Sequence, residues 1–259
     1  ILVCDDDKDI VEAIDIYLTQ EGYEVLKAYD GDEAIKVLKR NEVDLLIMDV
    51  MMPRLDGIRA TLKIRENMSL PIIILSAKSE DADKILGLNI GADDYITKPF
   101  NTNLLISRCN NLVNSRILLQ EKFSKQPQTA AHMLATNPID KDILDRAMSI
   151  IEQHLDDTEF NVNVFAREMA MARTNLFTKL KAITGQTPNE FILTIRLKKG
   201  ALMLRNNPEL NITEISDKIG FSSSRYFSKC FKDIYHVSPL AYRKGEEADK
   251  DEEETVNEK

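Results

Sequence analysis

The chain has 259 residues, 43% of them hydrophobic, and a formal charge of −9, enough length for one or two domains with a full apolar core. No apolar stretch reaches ~18 residues, which excludes a membrane-spanning helix, and Cys4, Cys109 and Cys230 are too few and too far apart for a disulfide framework or a Cys-x-x-Cys metal pair. The charge is segregated: residues 1–125 hold 16 Lys/Arg and 22 Asp/Glu, residues 160–244 hold 14 and 6, and residues 246–259 hold 2 and 8.

In chain order, an acidic half, a basic part and an acidic tail are three different objects. The first residues, Ile1-Leu2-Val3-Cys4, read as a strand with no signal peptide or initiator Met, and the chain is expected to be cut from something longer. Further apolar runs follow at Tyr23–Ala28, Leu45–Met48, Ile72–Leu75 and Tyr95–Thr97. Between them lie amphipathic stretches, such as Ile10, Ala13, Ile14, Tyr17 and Leu18, at helical spacing. Strand alternating with helix predicts an α/β fold with a five-stranded, doubly wound parallel sheet, whose functional groups gather at the carboxyl ends of the strands.

At those ends stand Asp5-Asp6-Asp7, Asp49, Ser76 and Lys98-Pro99. Crowded carboxylates repel one another, and a hard divalent cation with oxygen ligands, Mg²⁺ above all, relieves the repulsion. A hydroxyl and an ammonium beside it suit the oxygens of a phosphoryl group. The pattern predicts phosphoryl transfer with a carboxylate acceptor. An aspartyl-phosphate hydrolase of the haloacid dehalogenase type needs Asp-x-Asp at its nucleophile, whereas Asp49 is followed by Val50 and Met51.

Taken together, Leu2–Asp7, Asp44–Pro53, Asp56-Gly57, Leu75–Ala77 and Gly91–Phe100 resemble the receiver domain of two-component response regulators, over residues 1–118. The resemblance implies a flavodoxin-like fold in which Asp49 accepts a phosphoryl group from a sensor histidine kinase. It implies that Asp6 binds Mg²⁺ directly, that Asp5 acts through water, and that Met51 offers its backbone carbonyl. Ser76 and Lys98 are implied as phosphoryl contacts and Tyr95 as the switch aromatic.

Leu105, Cys109, Leu112, Leu119 and Phe123 continue at helical spacing, with Arg116 as the exception on the stripe. A receiver domain over 1–122 is therefore followed by a linker over 123–140, marked by Pro127 and Pro138. From Lys141 the pattern is helical. An internal repeat then appears: Val164-Phe165-Ala166 and Ala170 match Ile215-Ser216 and Gly220 at an offset of 50, and Leu176, Leu180, Lys181, Thr187 and Pro188 match Phe227, Phe231, Lys232, Ser238 and Pro239 at an offset of 51. Each copy predicts an all-α helix-turn-helix unit. Thr187-Pro188-Asn189-Glu190 is a capping box opening a long helix to about Leu204.

Short polar or basic residues open the second helix of each copy: Arg173, Thr174, Thr178 and Lys179, then Ser224, Arg225, Lys229 and Lys232. Such residues reach base edges and phosphates from a helix in the major groove of double-stranded DNA. Gly220–Lys232 with Ser238–Arg243 resembles the AraC-type DNA-binding domain, over residues 141–244. His236 stands where that family usually has a helix-ending Gly, and Thr178 where the first unit often has Arg. The stretch Asn114–Leu204 resembles the C-terminal part of Bacteroidetes hybrid two-component regulators, which govern polysaccharide-utilisation genes, whereas the receiver body is more similar to stand-alone OmpR-type receivers. The combined expectation is a cytoplasmic, phosphorylation-controlled transcription factor rather than an enzyme. It dimerises on phosphorylation, is either free-standing or the output part of a hybrid sensor, and ends in a disordered acidic tail over 245–259.

Overall fold

The computed structural model describes residues 1–77 and 91–245. The expected fourth receiver helix and all of the acidic tail beyond Gly245 lie outside the described residues. By contacts the chain forms two compact units: 1–120, 131–145 and 174–185 make the first, and 121–130, 146–173 and the described residues from 186 onward make the second.

The first unit carries β1 (Leu2–Cys4), α1 (Lys8–Gln20), β2 (Leu26–Ala28), α2 (Gly31–Leu38), β3 (Leu46–Asp49), α3 (Gly57–Asn67), β4 (Ile72–Ser76), β5 (Asp94–Thr97) and most of α4 (Thr102–Lys125). All five strands are parallel, in the order β2-β1-β3-β4-β5. The sheet is buried on both faces, which is why its strands read as unbroken apolar runs. Leu2, Cys4, Leu46, Met48, Ile72 and Ile74 form one core with Ala34 and Leu38 of α2 and Ala60 and Ile64 of α3. Val3, Ile47, Ile73 and Leu75, the alternate residues, form the other with Val11, Ile14 and Leu18 of α1 and Leu105 and Cys109 of α4. The expected second strand is shortened: it pairs only over Leu26–Ala28, as an edge strand with Leu26 and Lys27 half-buried and Ala28 buried.

Helix starts follow local chemistry. Asp7, Asp30 and Asp56 cap α1, α2 and α3 with side-chain oxygens that accept from free backbone N–H groups.

A 3-10 turn (Ala131–Leu134) precedes α5 (Pro138–Gln153), which begins three residues before the expected start because Asn137 bonds the backbone N–H of Asp140. The repeat appears as α6 (Val162–Glu168) with α7 (Arg173–Thr184), and α9 (Ile212–Lys218) with α10 (Ser224–Tyr235). Between them runs α8 (Pro188–Asn206), opened by the predicted Thr187/Glu190 capping box, and α11 (Pro239–Lys244) closes the described chain. Of these, α7 belongs to the first unit. In the second unit Leu197, Ala201 and Leu204 of α8 pack on Ile215, Ile219, Phe227 and Phe231. Phe221, Phe227, Phe231 and Tyr242 meet edge to face in sequence, with ring centroids 5.2–5.6 Å apart.

Candidate functional site

Parallel pairing places β1, β3 and β4 in register, so their last residues meet at one sheet edge. Asp5 follows β1, Asp49 ends β3, Ser76 ends β4 and Lys98 follows β5. The Lys98 Nζ donates to Asp5 Oδ2 at 2.6 Å and lies 2.7 Å from Asp49 Oδ1. Asp5 and Asp49 are buried, at 1% and 3% exposure. Burial pushes the Asp5 carboxyl above its ordinary pKa against the pull of Lys98. Burial also works against the Lys98 ammonium, but Asp49 and Asp5 together hold its pKa above the ordinary lysine value.

Carboxylate oxygens of Asp5, Asp6 and Asp49 lie within 4.8 Å of one another, with Asp6 exposed to solvent. Three hard oxygen donors with one open side fit Mg²⁺, which keeps several waters. Met51 donates its backbone N–H to Asp49 Oδ2 at 2.7 Å and leaves its side chain 62% exposed. The loop after β3 returns so closely that a Cβ on Gly57 would lie 2.0 Å from the Asp49 carbonyl oxygen, so only glycine fits beneath the carboxylate. Ser76 is buried and its carbonyl accepts from the Lys98 N–H at 2.7 Å. Tyr95 is half-buried against the core formed with α2 and α3. All of the receiver residues singled out from the sequence therefore sit on or beside this edge, Tyr95 being the one within β5.

The helix-turn-helix residues are placed less uniformly. On α10, Arg225, Lys229 and Lys232 are exposed and recur at i, i+4 and i+7, one helical face, with Ser224 partly exposed beside them. Tyr226, not anticipated, is 52% exposed on the same helix. On α7, Arg173, Thr174 and Thr178 are exposed. Lys179 departs from expectation: it is 4% exposed, and its Nζ donates to the Arg65 carbonyl at 2.9 Å. An ammonium committed to a buried carbonyl is not available to a phosphate in this arrangement.

Two further charges were not anticipated, Arg65 buried and Arg116 partly buried. Arg65 of α3 donates to the Gly91 and Leu70 carbonyls and pairs with Asp93 at 2.8 Å. Arg116 of α4 donates to the carbonyls of Ser69 and Ala182, both at 2.7 Å. A cation on an otherwise apolar helix stripe was the visible signal for Arg116. For Arg65 there was none, because its partners, two backbone carbonyls and Asp93, are brought to it only by the fold.

Residues 1–110 match the family model of the response regulator receiver domain, and residues 165–245 match that of a helix-turn-helix domain. Histidine kinase P4 of Formosa agariphila is 37% identical over 246 residues, 94% of this chain and 18% of that protein, so the chain spans under a fifth of that kinase's length. Response regulator GtcR of Aneurinibacillus migulanus is 34% identical over 181 residues, 69% of this chain and 73% of that protein. Among solved structures, the Francisella response regulator 1452 receiver domain is 43% identical, covering 44% of this chain and 95% of that one, with a TM-score of 0.43. The response regulator TrrA from Thermotoga maritima, solved in complex with Mg²⁺-BeF, is 34% identical over 43% of this chain and 96% of that one, with a TM-score of 0.40. The chain belongs to the response regulator family of two-component systems, as a transcription factor that joins a receiver domain to an AraC-type helix-turn-helix domain.

Proposed function

We propose that Asp49 accepts a phosphoryl group from the phosphohistidine of a sensor kinase, and that the acyl phosphate so formed controls DNA binding by residues 141–244. The observation that carries this reading is the position of Lys98 Nζ, within 2.7 Å of both Asp5 and Asp49 at one sheet edge. In the transfer the P–N bond to the kinase imidazole breaks and a P–O bond to an Asp49 carboxylate oxygen forms. The imidazole nitrogen keeps the electron pair and takes a proton from solvent. The carboxylates of Asp5, Asp6 and Asp49 and the Met51 carbonyl would hold Mg²⁺, whose chemistry is to neutralise phosphoryl oxygens. Lys98 exchanges its bond to Asp49 for a phosphoryl oxygen, and the Ser76 hydroxyl donates to another. Tyr95 moves into the space that Ser76 leaves, changing the receiver surface and favouring a homodimer.

On the DNA side, Arg225 and Ser224 read base edges, and Lys229 and Lys232 hold phosphates, from the exposed face of α10. Arg173, Thr174 and Thr178 supply the corresponding contacts from α7, joined by Lys179 only where its bond to the Arg65 carbonyl is given up. A cytoplasmic location follows from this reading. The match of nearly the whole chain to less than a fifth of a histidine kinase favours the output end of a hybrid sensor over a free-standing regulator, with polysaccharide-utilisation genes as the targets.

Acetyl phosphate with Mg²⁺ should label the chain, and Asp49→Asn should abolish the label. Stable label on the Asn variant would reassign the acceptor. Beryllofluoride should shift the full chain from monomer toward dimer in sedimentation, and an unchanged mass would remove dimerisation from the account.

A further inference from the structure

The second helices of the two repeated units present faces of opposite chemistry. On α7, Arg173, Phe177 and Lys181 recur at i, i+4 and i+8, with Thr174 and Thr178 in the row beside them, and all five are exposed. The other side of the helix is buried through Leu176, Leu180 and Ile183, which fixes the outward direction of this face.

Phe177 stands at its middle. All nine phenylalanines lie among the described residues; seven are buried, Phe100 is half-buried against the sheet, and Phe177 is 48% exposed. A single exposed apolar residue is ordinary on a protein surface. Here the neighbours extend it into a patch. The Thr178 hydroxyl donates to the Thr174 carbonyl at 2.9 Å, so its hydrogen is used within the helix and its methyl is left for an outside partner. The Lys181 ammonium donates to the Gly185 carbonyl at 2.8 Å, beyond the end of the helix. Charge is thus confined to the two ends of the face, and its centre is a ring and a methyl. On α10 the positions matching Phe177 and Thr178 at the offset of 51 are Ser228 and Lys229, and Arg225 stands where Thr174 does. That face offers hydrogen-bond donors at its centre.

The apolar group that a base edge shows in the major groove is the C5-methyl of thymine, and phenylalanine rings and threonine methyls are suited to contact it. We propose that Phe177 with Thr178 forms a thymine-reading surface, so that the half of the DNA site met by α7 is selected for thymine methyl groups, whereas the half met by α10 is selected by hydrogen bonding. This rests on the DNA binding proposed above and names the bases that one helix reads.

Duplexes selected from a random-sequence pool by the full chain, with beryllofluoride and Mg²⁺, supply the probe. Each is remade with deoxyuridine for thymidine in one half at a time, which removes the methyl and keeps every hydrogen-bonding group. The native chain should lose about fourfold in affinity for each contacted methyl in one half, and less than about 1.5-fold in the other. Phe177→Ser, which gives α7 the residue of the matched position on α10, should keep the native melting temperature, since the ring is exposed, and should lose most of the uridine effect. Arg225→Ala should weaken binding and keep the uridine effect. Equal affinity of the native chain for thymine and uridine duplexes, or a Phe177→Ser variant that keeps most of the difference, overturns the proposal while leaving DNA binding in place. Failure to enrich any duplex overturns the DNA reading itself, and this proposal with it.

Discussion

The two copies of the repeated motif solve the same backbone problem in opposite ways. Each needs a left-handed residue in its turn and another after its second helix. The first copy places Ala170 (φ 52°) in the turn and Gly185 (φ 73°) at the helix end; the second places Gly220 (φ 72°) in the turn and His236 (φ 61°) at the helix end. Ala170 and His236 are exposed. A Cβ on Gly220 would lie 2.5 Å from the Leu155 carbonyl oxygen and 2.7 Å from Arg196 Nη2, and one on Gly185 would lie 3.0 Å from Gln120 Oε1. Glycine therefore stands where a neighbour closes in, and a side chain is tolerated where solvent surrounds it. The copies also differ in what they expose. The second helix of the later copy shows three cations on one face, whereas that of the earlier copy has Lys179 bonded to a buried carbonyl.

The sharpest break in this comparison is Gly220→Ala. A left-handed alanine costs ~1–2 kcal/mol before the collision with a carbonyl oxygen is counted, and overpacking adds ~1–3 kcal/mol. Urea unfolding should show a loss of ~3 kcal/mol for Gly220→Ala. Ala170→Gly, at the matched position, should change stability by less than ~1 kcal/mol, because relief of strain is offset by the entropy of the unfolded chain. Equal effects at the two positions would contradict the assignment of glycine to crowding.

Next in size is the DNA contact. Arg225→Ala should lower specific affinity by about 1–3 kcal/mol if the guanidinium bonds a guanine edge, and Lys232→Ala should weaken specific and random DNA alike and flatten the salt dependence. Equal losses on both kinds of DNA for Arg225→Ala would remove it from sequence readout. His236→Gly should stabilise the chain by up to ~1 kcal/mol, since the position is left-handed, exposed and at a helix C-terminus. A lower melting temperature for that variant would mean that the imidazole contributes something the cap geometry does not show.

A pH-dependent effect concerns Lys198 of α8. Its Nζ donates to the carbonyls of Gln126 and Thr129 and sits 4.2 Å from the Phe123 ring centroid. Burial lowers its pKa to about 8, against ~10.4 unfolded. Between those values the unfolded chain binds more protons, so stability rises as pH rises through that window. Lys198→Met should flatten the rise measured by unfolding between pH 8 and pH 10.

The receiver site was legible because its chemistry is carried by residue types that seldom end consecutive apolar strands: Asp5, Asp49, Ser76 and Lys98 need only the parallel register to meet. The repeat was legible because the apolar spacing of each copy is fixed by its own core. Lys179 was misread for a physical reason. Helical spacing gives the angle at which a lysine leaves the helix, but burial at that angle depends on what covers it, here the end of α3 more than a hundred residues earlier in the chain. Arg65 and Asp140 stayed hidden for the same reason, since their partners are backbone groups and charges brought in by the fold.

The central claim is that the charge state of Asp49 governs DNA binding elsewhere in the chain. It is tested most directly by the affinity of the full chain for its specific DNA with and without beryllofluoride and Mg²⁺, in the native sequence and in Asp49→Asn. A coupling of ~1–3 kcal/mol is usual between linked sites, so the native chain should bind about tenfold more tightly with the mimic and the Asn variant should not respond. An unchanged affinity in the native chain, or an equal gain in Asp49→Asn, would contradict it.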